Sequence, residues 1–185
     1  VPSITVTIDG VPDDGAPGEG DNVLTDVENL EGLIGGSNTF TGSTAANELH
    51  GSSAGDDTLR GGGGNDRLLG FDRNDALEGG DGDDYLEGGF GDDRLDGGTG
   101  RDSYVGDRTE RNVIGGNDTI AARDGVAEPV SCGPGSDSAV IDATDTVAVD
   151  GDNTCETVDR PSTPAGPTPG WLPITSNRTT LTRTR

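Results

Sequence analysis

The chain has 185 residues, with 35 acidic against 12 basic side chains and a formal net charge of −23. Only 28% of residues are hydrophobic and 3% aromatic, while 33 are glycine, so too little apolar area is available for a conventional packed core. Such a composition means disorder unless something besides apolar side chains holds the chain together. The charge argues against nucleic acid and anionic membrane as partners and favours cations.

Taken in chain order, Ile4-Thr5-Val6-Thr7-Ile8 alternates apolar and polar residues and predicts a strand. Residues 9–22 are loop, rich in Gly, Pro, Asp and Glu. Its acids Asp9, Asp13, Asp14, Glu19 and Asp21 are open to two readings, an extra cation ligand set near the N-terminal end or a solvated turn. Internal repetition then begins. Leu59, Leu68, Leu77, Leu86, Leu95 and Tyr104 follow one another at a spacing of nine. Two positions before each stands an aspartate: Asp57, Asp66, Asp75, Asp84, Asp93 and Asp102. Glycine pairs open units at Gly61-Gly62, Gly79-Gly80, Gly88-Gly89 and Gly97-Gly98, and Gly64, Gly82, Gly91 and Gly100 hold the fourth place. The unit is G-G-x-G-x-D-x-U-x, with U a large hydrophobe.

The copies at the margins are imperfect. The unit 51–60 carries one extra residue, the unit 42–50 has Asn47 in place of Asp, and the unit at Gly70 has Phe71 and Arg73 in place of glycines. Shortened copies lie at Gly35–Phe40 and Gly115–Ile120. Atypical terminal units are expected of a stacked array. Further on, Asp137-Ser138-Ala139-Val140, Asp145-Thr146-Val147 and Glu156-Thr157-Val158 predict short strands without the glycine signature. Residues 161–170 read as a Pro/Thr-rich linker, and 171–185 as a disordered tail. No amphipathic helix is legible, and no apolar run is long enough to span a membrane. Val1 implies a processed N-terminus or a fragment. Every basic residue is Arg, which points to a GC-rich source genome.

The repeat has a chemical logic. The triplet x-U-x suffices for a short strand, and six residues reverse the chain. Glycines let the backbone approach closely and turn carbonyl oxygens to a common centre; the Asp adds a hard anionic oxygen. Calcium takes six to eight oxygen ligands at roughly 2.3–2.6 Å, more than a single loop supplies but within reach of two stacked loops. Two units make one coil of about 18 residues, so every second loop shares a side. Asp66, Asp84 and Asp102 then fall on one side, and Asp57, Asp75 and Asp93 on the other. The best sites are expected between loops 61–66 and 79–84 and between 79–84 and 97–102, using Gly62, Gly64, Gly80, Gly82, Gly98 and Gly100 beside the aspartates. On the second side Gly89, Gly91 and Asp93 face the degraded loop of Asp75, so Phe71 and Arg73 predict weaker or absent sites there. The hydrophobes would line a thin core between two parallel sheets. Between residues 55 and 104 stand fourteen acids and five arginines, so folding is expected to require cations.

This unit resembles the nonapeptide of the RTX family, the hemolysin-type calcium-binding repeat. The clear match covers 51–105 and extends with degenerate units to 32–121. The resemblance implies an all-β, right-handed parallel β-roll with several Ca2+ ions in its turns, usually a non-catalytic module of a secreted protein. The flanks are similar to those of exported proteins from GC-rich Gram-positive bacteria. In that setting Cys132 and Cys155, which on the residues alone are free thiols, a metal pair or a disulfide, are expected to form a disulfide that staples a C-terminal cap. The implied organisation is an N-terminal cap at 1–31, repeats at 32–121, a cap at 122–160, and linker and tail at 161–185.

No catalytic constellation is legible. Gly51-Ser52-Ser53-Ala54-Gly55 fits the letters G-x-S-x-G, but the nucleophile elbow needs a strand, a helix and a histidine partner; the lone His50 reads as an exposed strand-edge residue. Asp150-Gly151-Asp152-Asn153 fails the EF-hand spacing. Leu172-Pro173-Ile174-Thr175-Ser176 is similar to an LPxTG sorting signal but has Ser where Gly is required. The expected function is an extracellular calcium-binding module, a structural or adhesive part of a secreted or surface protein whose further ligand is open. The alternative is the non-catalytic calcium-binding appendage of a secreted enzyme or toxin whose catalytic domain lies outside this chain.

Overall fold

In an x-U-x triplet, strand alternation turns U to one face and its neighbours to the other. A chain that repeats this triplet every nine residues can bury U only by coiling. The structure, a computed structural model, describes residues 3–10, 23–32, 36–107, 115–148, 155–161 and 176–180. Its strands in chain order are β1 (Ile4–Thr7), β2 (Asn29–Glu31), β3 (Asn38–Thr41), β4 (Glu48–Ser52), β5 (Thr58–Gly63), β6 (Arg67–Asp72), β7 (Ala76–Asp81) and β8 (Tyr85–Phe90). They continue as β9 (Arg94–Thr99), β10 (Ser103–Asp107), β11 (Thr119–Ala122), β12 (Pro129–Ser131), β13 (Ser138–Ile141), β14 (Thr146–Val147), β15 (Thr157–Pro161) and β16 (Ser176–Thr180). There is no helix among the described residues.

Successive strands alternate between two sheets, ordered β1-β3-β5-β7-β9-β11-β13-β15-β16 and β14-β12-β10-β8-β6-β4-β2. Every pairing is parallel except β15 with β16. This is a parallel β-solenoid. Its register stacks like on like: Phe40, Leu59, Leu77, Leu95, Ile120, Ala139 and Val158 run down one sheet. Leu49, Leu68, Leu86, Tyr104 and Val130 run down the other. Both ladders turn inward and form a single buried cluster. Each fully buried leucine contributes about 1.5–3 kcal/mol, but every coil supplies only two such residues.

The coil repeats every 18 residues through the regular units. It lengthens to 19 where the sequence carries an extra residue and to 25 and 26 past Asp93 and Asp102. The ladder of pairings crosses residue 121 without a break, because Ile120, Ala139 and Val158 repeat the inward position without the glycine signature. Cys132 and Cys155 form a disulfide, with Cα atoms 5.2 Å apart and both side chains inside the core.

Two expectations change. Ser176–Thr180, placed by the sequence in a disordered tail, is a strand antiparallel to β15; β15 would otherwise present an open edge of unpaired backbone groups. Pro161 closes β15, and the remaining linker and tail, including residues 172–175, lies outside the described residues, as do Asp13, Asp14, Glu19, Asp21 and residues 150–153. His50 is half-buried, not exposed. It lies within a sheet, between β2 and β6, with its Nε2 at 3.0 Å from Glu48 and its ring edge-on to Phe71. Ser53 sits exposed in a turn with no helix after it.

Candidate metal centres

The aspartate two residues before each inward hydrophobe sits where a turn enters a strand. Register then stacks these aspartates in two columns. In one, the Asp66 N–H donates to Asp84 Oδ1 at 2.7 Å and the Asp84 N–H to Asp102 Oδ1 at 2.9 Å. Asn47 precedes them, donating to Asp66, and Glu128 and Asp145 follow. In the other column the Asp57 N–H donates to Asp75 at 2.7 Å, and the Asp75 N–H to Asp93 at 2.8 Å. That column continues through Asp118, Asp137 and Glu156. Each aspartate thus spends one oxygen on the coil before it, and the two sides separate as the coil arithmetic requires.

The second oxygen decides the chemistry. Oδ2 of Asp66, Asp75, Asp84, Asp93, Asp118 and Asp137, and Oε2 of Glu128, are buried with no hydrogen-bond partner. A buried unsatisfied carboxylate oxygen is costly. Each of these Oδ2 atoms in the repeats lies over the first glycine of its own unit. A Cβ at Gly61 would come within 3.0 Å of both Asp66 Oδ2 and the Gly79 carbonyl oxygen of the next coil. At Gly79 it would meet Asp84 Oδ2 and the Gly97 carbonyl, and at Gly70, Asp75 Oδ2 and the Gly88 carbonyl. A carboxylate oxygen and a carbonyl oxygen therefore converge on one cradle between stacked loops. The second and fourth glycines do a different task. Gly80 and Gly82 have φ of 114° and 136°, and a Cβ at either would run into the carbonyl oxygen of Gly62 or Gly64 in the previous coil. Only a residue without a side chain fits there.

Electrostatics follow the geometry. Burial raises the Asp66 carboxyl to about 6, Asp75 and Asp84 to about 7, and Asp93 to about 9. Desolvation is the largest cause, and neighbouring carboxylates add to it at Asp75, Asp84 and Asp93, while a backbone N–H donor opposes it. Burial likewise raises Asp102, and raises Asp118 and Glu128 to about 8. The ion pairs among the described residues, such as Arg60 with Glu78 and Arg67 with Glu48, involve no column carboxylate. Paired rows of buried, like-charged, half-satisfied carboxylates are unstable as they stand. Hard oxygen donors converging on a cradle fit a calcium ion, which would neutralise them.

The chain matches the RTX calcium-binding nonapeptide repeat (4 copies) over residues 34–68 and 69–104. Residues 34–104 are RTX-type repeats on a parallel β-solenoid. No curated protein and no solved structure gives a significant match. The matched residues of the β-roll hold the cradles of Asp66, Asp75, Asp84, Asp93 and Asp102.

Within the β-roll, the predicted ligands are not equivalent. Asp57 differs, because its Oδ2 already accepts the backbone N–H of Ser52, in the unit that carries an extra residue. Asn47 is likewise satisfied by the Ser43 N–H at 2.7 Å. Asp102 Oδ2 faces the Tyr104 hydroxyl at 3.5 Å. Phe71 and Arg73 do not break their turn. They take φ of 84° and 87°, the left-handed conformation of the glycines they replace, at a cost of about 1–2 kcal/mol each. Arg73 is exposed, and the charges acting on Asp75 are Asp57, Asp56 and Asp72. From the chain alone the second and fourth glycines stand as ligands; the need for the first is steric and invisible without the stacked coil. Asp118, Asp137 and Asp145 keep the Asp-x-hydrophobe pattern, but their place in the columns, like that of Glu128, appears only in the stack.

Proposed function

We propose that this calcium-binding repeat module is an extracellular, non-catalytic building element that becomes ordered when calcium enters its turns. The observation that carries the reading is the row of buried Oδ2 atoms at Asp66, Asp75, Asp84 and Asp93, each without a partner and each beside a glycine-only cradle. The ions would be held between consecutive loops on one side, by Asp66 with the loop of Gly79 and by Asp84 with the loop of Gly97, and on the second side by Asp75 with the loop of Gly88. A bound cation supplies charge neutralisation; the chain supplies oxygens, shape and a strand on either side of each turn. Because binding and ordering are coupled, the module would be soft where free calcium is scarce and rigid outside the cell. The Cys132–Cys155 disulfide supports an oxidising compartment. A structural or adhesive role in a secreted or surface protein fits these properties. Circular dichroism during a calcium titration tests the reading: β signal should rise with calcium, and a signal equally strong in excess chelator would refute it.

A further inference from the structure

The stack changes character beyond the matched repeats. β10 ends at Asp107, which pairs in register with Gly89 of β8, and Gly89 pairs in turn with Phe71. Asp107 therefore stands in the column of the second repeat glycine, where the three preceding coils place an uncharged residue: Ser52, Phe71 and Gly89. It adds a carboxylate to a turn column that already contains Asp118 and Asp137.

The three carboxyl groups meet. One oxygen of each lies within 4.8 Å of one oxygen of the others. All three residues are buried, at 0%, 1% and 1% relative exposure. Their remaining hydrogen-bonding capacity is unused: Asp107 Oδ1, Asp118 Oδ2 and Asp137 Oδ2 are buried with no partner. The other oxygens are engaged, Asp107 Oδ2 by the Gly116 N–H, Asp118 Oδ1 by the Asp93 N–H and Asp137 Oδ1 by the Asp118 N–H. Backbone oxygens close in as well. The Cys132 carbonyl and Asp118 Oδ2 converge over Gly106, and the Pro134 carbonyl and Asp107 Oδ2 over Gly115. None of the ion pairs among the described residues reaches these acids.

We propose that Asp107, Asp118 and Asp137 form a separate calcium site outside the repeats, built from two carboxylates of one turn, at the positions of Gly89 and Asp93 in theirs, and a third from the next turn. It differs from a repeat site, where each cradle brings together a single free carboxylate oxygen and a glycine carbonyl. The donors are all oxygen, which selects a hard cation over zinc or copper. A dry, irregular set of carboxylates and carbonyls suits calcium better than magnesium, which keeps its waters and demands octahedral order. The site also ties the repeats to the disulfide. Asp107 donates its N–H to the Cys132 carbonyl at 2.9 Å, so an ion here would lock β10, β11 and the Cys132 turn together.

The test counts calcium bound per full chain by calorimetry, with circular dichroism confirming the fold of each variant in calcium. Asp107→Asn keeps an oxygen to accept the Gly116 N–H and removes the charge; Asp84→Asn does the same in the repeats. The site predicts that Asp107→Asn binds a single ion fewer than the parent, independently of the loss in Asp84→Asn. An unchanged count in Asp107→Asn, with a loss in Asp84→Asn, overturns this site and leaves the repeat sites standing. A loss in Asp107→Asn alone supports this site and refutes the repeat sites, and no binding by the parent chain refutes both. Should Asp107→Asn fail to fold, anomalous scattering from calcium in crystals of the parent chain decides: a peak among the three carboxylates supports the site, and peaks in the repeat turns without one here overturn it.

Discussion

Gly61 and Gly63 lie two residues apart at the end of β5, and alanine should have opposite effects at the two. Neither has a positive φ, so at both positions alanine restricts the unfolded chain and would by itself stabilise by about 0.4–1 kcal/mol. At Gly63 the added Cβ finds its nearest atom, Thr44 Cα, at 3.6 Å, an ordinary contact, so the full gain should appear. For a chain of this size about 1 kcal/mol moves the melting temperature by roughly 2–4 °C, so Gly63→Ala should raise it by about 1–4 °C. At Gly61 the Cβ comes within 3.0 Å of Asp66 Oδ2 and the Gly79 carbonyl. One of these belongs to backbone held in the next coil and cannot swing away. Overpacking of this kind costs about 1–3 kcal/mol, which outweighs the entropy gain. The alanine also fills the cradle where a cation would sit, so the calcium midpoint should rise by roughly tenfold for each 1.4 kcal/mol lost from the bound state. Thermal melts at saturating calcium and calcium titrations of both variants provide the assay. Equal melting temperatures and equal calcium midpoints in Gly61→Ala and Gly63→Ala would refute the cradle.

Leu86→Ala removes a fully buried rung and should cost about 2–5 kcal/mol, read as a drop in the thermal midpoint at fixed calcium; a change below that range would mean that the ladder collapses to fill the gap. The carboxyls of Asp75, Asp84, Asp93, Asp118 and Glu128 are raised to about 7, 7, 9, 8 and 8 by burial, so the metal-free fold binds more protons than the unfolded chain between about pH 4 and pH 9. Its stability should therefore fall as pH rises through that window, and acidification of the chelated protein should recover β signal. Calcium binding near pH 7 should release protons, visible as a buffer-dependent binding enthalpy; identical enthalpies in buffers of different ionisation heat would contradict this. Reducing the Cys132–Cys155 bond, which joins residues 23 apart, should cost about 3 kcal/mol and lower the melting temperature without abolishing calcium binding by the repeats.

Much of this could be read from the chain alone. Nine-residue spacing of Leu59 through Tyr104 dictates a coil, because a period-two strand can bury only one residue per triplet. An aspartate two places earlier at every unit dictates two acidic columns. That the described residues hold no helix was legible for the same reason, because it depends on local residue types, whereas the residues alone left Cys132 and Cys155 open and their pairing followed only from the resemblance. Tertiary structure decided what depends on neighbours a whole coil away. Asp57 and Asp84 precede a hydrophobe identically, and although the extra residue of unit 51–60 marks it as irregular, only the folded turn shows the consequence: Asp57 Oδ2 receives the Ser52 N–H of its own unit, while Asp84 Oδ2 is left without a donor. Nor can it show that Phe71 and Arg73 would take a glycine's backbone conformation, since the packed coils on either side impose it. Asp107 looks like one more surface acid until register puts it in a glycine's column beside Asp118 and Asp137. Periodicity is a property of the chain, whereas convergence of oxygens is a property of stacking, and a cation responds only to the second.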